Sequence, residues 1–311
     1  MTRAVEVRSI ECHLGDRQIL TTVDLSVDRG ELVTLVGPSG CGKSTLLRVI
    51  AGLEQPSAGN IHIDGVDVTT TPPEKRRVGL VFQSNALFGH LRVDRNIAFG
   101  LRHLSKRERQ ERVEEMLDLV KLGHLAHRYP HQLSGGEQQR IALARALAPQ
   151  PPVVLMDEPF GALDEVLREE LGWEVKEILS RSNTAAILVT HDRHEALTLG
   201  DRVAVMDGGR VLQCDVPRAV YQQPATRFVA DFLAVSSYVV SDSGEEILVR
   251  PHQVDVVAGG PHTVARVEFL GATSRYTVRM TNGSTVVADV DPETVLNVGD
   301  SCDIRLLKRT N

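Results

Sequence analysis

The chain has 311 residues and a net charge of −6 at pH 7, with 42% hydrophobic and 24% charged residues, which is typical of a soluble protein of about two domains. The acidic balance gives no reason to expect nucleic acid as a partner, and no segment has the apolar length of a bilayer span or of a signal peptide core. The four cysteines are scattered without metal-ligand spacing, which favours a reducing, cytoplasmic location.

The first part of the chain predicts strands of two kinds. The alternation in TTVDLSV, from Thr21 to Val27, is typical of a strand with one buried face. Three later runs, Leu32–Val36, Val153–Asp157 and Ala185–Thr190, are apolar without alternation. Such runs indicate strands that are buried on both faces of a parallel sheet. We therefore expect an α/β fold.

A helix is predicted between these strands. The segment SKRERQERVEEMLDLV opens with Ser105 and Glu108 in the spacing of a capping box. Its apolar positions then lie along one side at helical spacing: Val113, Met116, Leu117 and Val120.

The character of the chain changes after about Ala234. Short alternating runs separated by Gly, Pro and Asn-Gly follow one another to the end of the sequence. This pattern predicts a small all-β module. The segment VYQQPATRFVADFL, from Val220 to Leu233, is predicted to connect the two parts.

The segment GPSGCGKST fits the phosphate-loop pattern G-x-x-x-x-G-K-[ST], and it stands between an apolar strand and the helix-like LLRVIAGL. In such a loop glycines let backbone N–H groups point at phosphate oxygens, the lysine neutralises the β- and γ-phosphates and the serine hydroxyl binds Mg²⁺. The alternative is a glycine-rich turn with a surface lysine. The predicted nucleotide-binding residues are Gly37, Pro38, Ser39, Gly40, Cys41, Gly42, Lys43, Ser44 and Thr45.

The apolar strand VVLMD delivers a carboxylate to the same kind of site. Asp157 ends the strand, near the metal, and Glu158 follows it, where a carboxylate can polarise an attacking water. The alternative is a solvated acidic turn. Together with the phosphate loop, these residues predict a nucleotide hydrolase or a kinase.

Four further features narrow the prediction. Gln83 follows the apolar run of VFQSNALF, LSGGEQQR starts a helix at Ser134, FGALD places Asp164 after Glu158, and His191 ends ILVTHD. Each has an ordinary alternative, namely a loop amide, an N-cap, a helix-start carboxylate and a surface histidine. Their joint order and spacing favour a functional interpretation.

In this order the motifs resemble the nucleotide-binding subunit of an ATP-binding cassette (ABC) transporter over nearly the whole chain. LSGGEQQR is the most specific of them, because other phosphate-loop proteins lack it. The segments ILVRPHQVDV and EFLGATSRYTVRM resemble the TOBE domain of importer ATPases. The resemblance implies a RecA-like P-loop NTPase core with an ABC β-subdomain and a helical subdomain (about 88–150) in residues 1–234, and a TOBE- or OB-like β domain in residues 235–311.

The resemblance also implies ATP and Mg²⁺ as cofactors and a role for each motif residue. Glu158 corresponds to the general base, and His191 to the residue that holds the γ-phosphate and the base in line. Gln83 would contact Mg²⁺ and water, and Asp164 would link two ATP sites. The implied metal-binding residues are Ser44, Gln83 and Asp157.

The family further implies a second copy of the chain as a partner. Two subunits pack head to tail, and each ATP lies between the phosphate loop of one copy and the signature of the other. A helix N-terminus at the signature offers N–H groups and a positive dipole end to a γ-phosphate. The implied signature residues are Ser134, Gly135, Gly136, Glu137 and Gln138.

One position departs from the family pattern. An aromatic residue usually precedes the phosphate loop and stacks on adenine, whereas the corresponding position here holds Leu14. His13 beside it is an alternative stacking group, or a solvated loop histidine. We expect ATP to bind more loosely and with less preference for adenine.

The resemblance favours an importer, with the chain as a peripheral subunit on the cytoplasmic face of a bacterial cell membrane. Its implied partners are transmembrane permease subunits and, through the complex, an extracytoplasmic solute-binding protein. Leu87, Phe88 and Leu91 are expected to be exposed in the groove that receives the permease. The alternative is that they pack the helical subdomain.

The sequences of PFGALDE and of the segment around the signature most resemble those of ferric-iron importers. Polyamine, sulfate and thiamine importers share much of the same sequence. Two other classes stay open: a non-transport ABC ATPase, and a regulatory module without hydrolysis. The presence of Lys43, Asp157, Glu158 and His191 disfavours the second.

Overall fold

The computed structural model describes residues 3–82, 87–161, 164–240 and 244–307. The chain divides into a first unit, Met1–Ala225, and a second unit, Thr226–Asn311. The division lies within the segment that the sequence predicts as a connection. This segment forms two short helices, Pro217–Gln222 and Arg227–Leu233.

The first unit contains both strands and helices. Its strands are β1 (Arg3–Leu14), β2 (Arg17–Asp28), β3 (Leu32–Val36), β4 (Ala58–Ile63), β5 (Val66–Asp67), β6 (Val78–Phe82), β7 (Val153–Asp157), β8 (Ala185–Val189), β9 (Arg202–Asp207) and β10 (Arg210–Asp215). Its helices are α1 (Lys43–Ala51), α2 (Val93–Ile97), α3 (Lys106–Leu119), α4 (Gly135–Leu147), α5 (Glu165–Ser182), α6 (Arg193–Leu199) and α7 (Pro217–Gln222).

The central sheet of the first unit has the strand order β10-β9-β3-β8-β7-β6. Neighbouring strands from β9 to β6 are parallel, and β10 pairs antiparallel with β9. Every residue of β3 and β8 is buried, which confirms the prediction from their unbroken apolar runs. The α/β fold class is confirmed.

A second, antiparallel sheet has the order β2-β1-β4-β5. The alternation in β2 buries Val23, Leu25 and Val27, as predicted. Side chains of this sheet, of α1 and of the central strands β7 and β8 form one hydrophobic core. Helix α1, which follows the phosphate loop, is therefore held between the two sheets.

Helices α2 to α5 pack with one another and with the other face of the central sheet in a separate core. Ser105 caps α3 in the predicted capping box with Glu108. Val113, Met116, Leu117 and Val120 are buried, as the helical spacing predicts. The signature helix α4 lies in this core through residues such as Ile141 and Leu143.

A buried arginine from a later part of the chain contacts the C-terminal end of α1. Arg76 is only 1% exposed, and its guanidinium donates to the carbonyl oxygens of Val49 (2.8 Å), Ile50 (3.0 Å) and Thr71 (2.7 Å). Burial lowers the pKa of Arg76 from its ordinary value, but that value is high enough for the group to stay charged. The cation satisfies free carbonyls and lies at the negative end of the helix dipole. The far end of the phosphate-loop helix is thus fixed.

The second unit contains α8 (Arg227–Leu233) and short strands. These are β11 (Ser237–Val240), β12 (Glu246–Val249), β13 (Val254–Phe269), β14 (Ser274–Arg279), β15 (Thr285–Val290) and β16 (Ser301–Leu306). The last four form a sheet of order β15-β14-β13-β16, and β11 pairs with β12. Tyr276 is buried among its valines and donates to the carbonyl oxygen of Thr294 at 2.7 Å. The predicted all-β module is confirmed, with α8 preceding it.

Among the described residues, no helix has both the length and the apolar character needed to cross a membrane.

We expect Arg76→Met to lower the free energy of unfolding by about 2–4 kcal/mol, because several buried carbonyl oxygens lose their donors. The methionine retains the apolar stem, so the loss reports the guanidinium. Urea unfolding measures the change. The control is Arg107→Met, whose ion pair with Glu111 is exposed and whose cost should stay below about 0.5 kcal/mol. Equal effects of the two substitutions would contradict this role of Arg76.

Candidate nucleotide site

The predicted motifs follow strands that end at the same edge of the central sheet. In the parallel pairing, Val189 of β8 lies opposite both Leu35 of β3 and Asp157 of β7. The phosphate loop, Glu158 and His191 therefore leave the sheet at neighbouring points. Ligands of open α/β sheets bind at this carboxyl edge.

The phosphate loop depends on its glycines for two different reasons. Gly40 and Gly42 have positive φ values of 78° and 107°, a conformation that favours glycine. A Cβ atom at Gly37 would lie 2.1 Å from the carbonyl oxygen of Met206 in β9. Sequence reasoning attributed all three glycines to the orientation of N–H groups. At Gly37 the structure adds close packing against a neighbouring strand.

Lys43 begins α1 directly after the loop. Its side chain curls back, and Nζ donates to the carbonyl oxygens of Gly37 (2.7 Å) and Pro38 (2.9 Å). Cys41 is buried beside it, and burial raises the pKa of the Cys41 thiol, which therefore stays neutral at physiological pH. The positive charge of Lys43 is thus held at the centre of the loop.

Ser44 and Asp157 join α1 to the end of β7. The Ser44 hydroxyl donates to Asp157 Oδ1 at 2.9 Å. Burial raises the pKa of Asp157, Glu158 raises it further, and the hydrogen bond from Ser44 opposes both. A hydroxyl and a carboxylate are the oxygen ligands that suit Mg²⁺, which takes its remaining ligands from phosphate and water. The residues present therefore fit this ion.

Glu158 adopts a left-handed backbone conformation, with φ at 46°, which is uncommon for a residue other than glycine. Its N–H donates to the carbonyl oxygen of Val189 at 3.0 Å, so the neighbouring strand holds the turn. The carboxylate Oε2 lies 3.2 Å from Nδ1 of His191. Strained backbone of this kind is typical of functional sites.

A network behind His191 was not predicted from the sequence. Asp192 caps α6 by accepting from the N–H groups of His194 and Glu195. Its other oxygen lies 3.2 Å from Nη1 of Arg168, which belongs to the first turn of α5. An arginine on an amphipathic helix carries no sequence signal for such a contact, because its partner is 24 residues away.

A cavity of about 380 Å³ lies against the loop. Residues of the phosphate loop and Glu158 line it, together with Arg17 and Ile19 of β2. Leu14, the expected adenine contact, is at the end of the same hairpin and is 44% exposed. His13 accepts or donates a hydrogen bond with Ser57 Oγ at 3.0 Å. The hairpin therefore reaches the cavity through Arg17 and Ile19.

The signature forms a complete helix cap at the start of α4. The Ser134 hydroxyl accepts from the N–H of Glu137, and the Glu137 carboxylate accepts from the N–H of Ser134 at 2.7 Å. Gln138 donates to the carbonyl oxygen of Pro130. Ser134 is therefore the N-cap of α4, which is the ordinary alternative that the sequence left open for this residue. In the described ranges, none of the residues that line the cavity at the phosphate loop belongs to the signature.

In the part of the chain that the structure describes, nothing requires a glycine at position 136. Gly135 and Gly136 occupy the first turn of α4, and φ of Gly136 is negative. A Cβ atom at Gly136 would meet only side-chain carbons of Leu167 and Leu171, at the ordinary contact distance of 3.9 Å. Among the described residues, an alanine would therefore fit at this position.

Asp164 lies near the signature as the N-cap of α5. Its side chain accepts from the N–H of Leu167 at 3.0 Å, and Leu167 is one of the two side chains nearest to Gly136. The predicted D-loop residue and the signature are thus neighbours. Gln83, the predicted magnesium and water contact, lies outside the described residues.

A small aromatic surface lies between α2 and α4. The rings of Phe88 and Phe99 lie 4.3 Å apart, and the guanidinium of Arg145 lies 5.4 Å from the Phe88 ring. Asn96 is fully buried, and its amide bonds the backbone of Phe88 and the carbonyl oxygens of Leu91 and Arg92. Sequence reasoning missed Asn96, because an asparagine that follows Asp94 and Arg95 in α2 gives no sign of burial.

The three residues expected to be exposed on this surface are half-buried, and Leu87 also packs against the helical core. Phe99, which the sequence did not single out, is 42% exposed. The apolar contacts of a partner would therefore centre on Phe88 and Phe99.

Comparison with known proteins agrees with this geometry. The family model of the ABC transporter matches residues 20–161, and that of the TOBE domain matches residues 247–309. The sulfate/thiosulfate import ATP-binding protein CysA of Pseudomonas putida is 44% identical over 97% of both chains. The chain belongs to the ATP-binding proteins of ABC importers that carry a TOBE domain. It is therefore an ATPase coupled to transport.

Other importer proteins are similar to the chain. The spermidine/putrescine import ATP-binding protein PotA of Thermobifida fusca is 41% identical and covers 91% of this chain and 85% of its own. The putrescine transport ATP-binding protein PotG of Escherichia coli is 47% identical over 75% of this chain and 62% of its own. Among solved structures, cbiO1 of Clostridium perfringens, part of an ABC transporter complex, superposes with a TM-score of 0.66 at 28% identity, covering 72% of this chain and 93% of its own.

We expect Gly136→Ala to leave the free energy of unfolding unchanged, or to raise it by up to about 1 kcal/mol, since alanine favours a helix. ATP turnover should fall about 10-fold or more, because the methyl group keeps a phosphate from the helix N-terminus. Thermal unfolding and phosphate release measure the two effects. Gly123→Ala, at a site with comparable space, is the control and should change neither. A destabilised Gly136→Ala variant would contradict the packing argument.

Proposed function

We propose that the chain hydrolyses ATP between two copies of itself, on the cytoplasmic face of a bacterial membrane, to drive uptake of sulfate or thiosulfate through a permease. The observation that supports the two-copy site is the lining of the cavity at the phosphate loop. Loop residues and Glu158 line it, and in the described ranges no residue of the signature does.

In this proposal Lys43 and the loop N–H groups bind the β- and γ-phosphates. Ser44 and Asp157 hold Mg²⁺, which neutralises charge on the phosphates when it is bound. Glu158 accepts the proton of the attacking water, and His191, 3.2 Å from it, keeps the carboxylate in place beside the γ-phosphate. Gln83 is proposed as a further contact of metal and water.

The signature of the second copy completes the site. Its Ser134 hydroxyl and the N–H groups of Gly135 and Gly136 would face the γ-phosphate, with Glu137 and Gln138 behind them. None of the described residues requires glycine at position 136, and this supports the contact. We propose that Asp164, the N-cap of α5, links the two ATP sites.

A mixing experiment tests the two-copy site. Lys43→Ala removes the lysine of a chain, and Ser134→Arg blocks its signature, so each variant alone should bind no ATP between copies. When the two variants are mixed, a heterodimer has one site with both defects and one site that is fully intact. We expect the mixture to regain ATP trapping, measured as labelled nucleotide retained through rapid gel filtration.

The control is each variant mixed with itself at the same total concentration. If lysine and signature of one site belonged to the same chain, every chain in the mixture would stay defective. Failure of the mixture to trap ATP, with both variants folded and dimerising with wild type, would therefore contradict the arrangement.

We propose that Phe88 and Phe99 contact the permease. Their ring centroids lie 4.3 Å apart with the rings tilted by 38°, Arg145 lies over one of them, and Asn96 fixes the loop that carries Phe88. An aromatic pair with a guanidinium beside it is typical of the centre of a protein interface.

For the substrate we propose sulfate or thiosulfate, because a sulfate/thiosulfate import protein is similar over 97% of both chains. Polyamine import is the second candidate, since spermidine/putrescine and putrescine transport proteins are 41% and 47% identical to this chain. Ferric iron, which the wording of the motifs favoured, finds no support among these relatives. The named relatives act in import, which also disfavours a non-transport ATPase.

We expect the assembled complex to hydrolyse ATP faster when its solute-binding protein carries sulfate or thiosulfate. The measurement is phosphate release from the reconstituted complex with the binding protein loaded in turn with sulfate, thiosulfate, spermidine and ferric iron. The empty binding protein and a Lys43→Ala complex are the controls. Stimulation by spermidine alone would establish the second candidate, and stimulation by ferric iron alone would contradict both.

A further inference from the structure

The hairpin between β1 and β2 brings one unassigned cation to the nucleotide cavity. Leu14 and Arg17 lie directly opposite each other, and the turn between them contains Gly15 at a φ of 60°. Residues that face each other across an antiparallel pair have side chains on the same side. His13 and Gln18 form the next pair, and their side chains lie on the other side, where His13 contacts Ser57.

The beginning of β2 is fixed to the phosphate loop. A Cβ atom at Gly42 would lie 2.9 Å from the side chain of Leu20 and 3.1 Å from the carbonyl oxygen of Ile19. The N–H of Thr21 donates to Gly209, and the N–H of Gly209 donates to the carbonyl oxygen of Cys41 in the loop. The hairpin therefore stands at a set distance from the phosphate site.

Arg17 is the first residue of β2, two residues before Ile19, and it lines the cavity. A strand rises about 3.3 Å per residue, so its backbone lies about 7 Å further out than the contact with Gly42. The phosphates of a nucleotide on Lys43 and Ser44 occupy the inner end. The outer end, where Arg17 lies, is left for the ribose and the base.

Arg17 also has no competing partner in the part of the chain that the structure describes, where its guanidinium takes part in no hydrogen bond or ion pair. Some other arginines of the first unit do have carboxylate partners: Arg29 pairs with Asp64, and Arg202 pairs with Glu31. A planar guanidinium without a carboxylate partner is free to stack on an aromatic face.

We propose that Arg17 stacks on the base of the bound nucleotide, while Ile19 packs against the edge of the base or the ribose. The inference rests on the proposed nucleotide site. The attraction arises between the cation and the π-face of the base, so it does not depend on the base edge. ATP and GTP therefore gain from Arg17 to a similar extent, and selectivity for adenine is low.

The experiment measures the affinity of the purified full-length chain for ATP, GTP and inorganic tripolyphosphate by titration calorimetry with Mg²⁺ present. Arg17→Leu should weaken ATP and GTP binding roughly 3- to 30-fold and leave tripolyphosphate binding unchanged. Arg17→Tyr should restore ATP binding, because an aromatic ring also stacks. Arg17→Lys should restore it only in part, because the ammonium group lacks the plane.

The matched control is Gln18→Leu, on the other side of the hairpin, which should bind all three ligands as the wild type does. Loss of tripolyphosphate binding in Arg17→Leu, or full retention of ATP binding in Arg17→Lys, would show a charge contact with phosphate and overturn the proposal. If Arg17→Leu bound ATP as tightly as the wild type while Lys43→Ala did not, only the role of Arg17 would be overturned. Normal ATP binding by Lys43→Ala would instead overturn the proposed site.

Discussion

The hydrogen bond from Ser44 to Asp157 connects the two parts on which the rest of the site depends. Ser44 lies on α1, which is held between two sheets and ended by the buried guanidinium of Arg76. Asp157 ends a central strand whose neighbour carries His191. Because both anchors are rigid, the positions of Lys43, the carboxylates and the cavity follow from this one junction.

Much of this arrangement could be predicted from the sequence, because the relevant signals are local. The unbroken apolar runs of β3, β7 and β8, and the loop between a strand and a helix, have few alternative structures. Contacts between distant residues carry no such signal. The ion pair of Arg168 with Asp192 forms only when the start of α5 meets the start of α6. The burial of Asn96 lacked a signal for another reason, because its amide bonds the backbone of the segment that precedes α2. Arg17 was not predicted for a related reason, because the family pattern places the adenine contact at the position of Leu14.

The substrate illustrates a different limit. In the proposed site, residues of the ATPase hold phosphates, a cation and a neighbouring subunit, and none of these contacts would depend on what is transported. The sequences of the motifs favoured iron. The relatives named above are instead named for import of sulfate/thiosulfate or spermidine/putrescine and for transport of putrescine. Similarity over the whole chain reflects common descent, whereas similarity of the short motifs reflects the chemistry of hydrolysis that the family shares.

The cap of α4 has a consequence for the proposed two-copy site. The Glu137 carboxylate accepts from the backbone N–H and the hydroxyl of Ser134, and the backbone hydrogen bond lowers the pKa of Glu137, so that the group stays ionised. Within the described part of the chain, its hydrogen bonds do not involve the N–H groups of Gly135 and Gly136, which the proposed site offers to the γ-phosphate. The first turn of α4 therefore combines free donors with a nearby negative charge. That charge opposes a lone phosphate, whereas ATP that is already fixed on the opposite loop would bring its γ-phosphate to these donors.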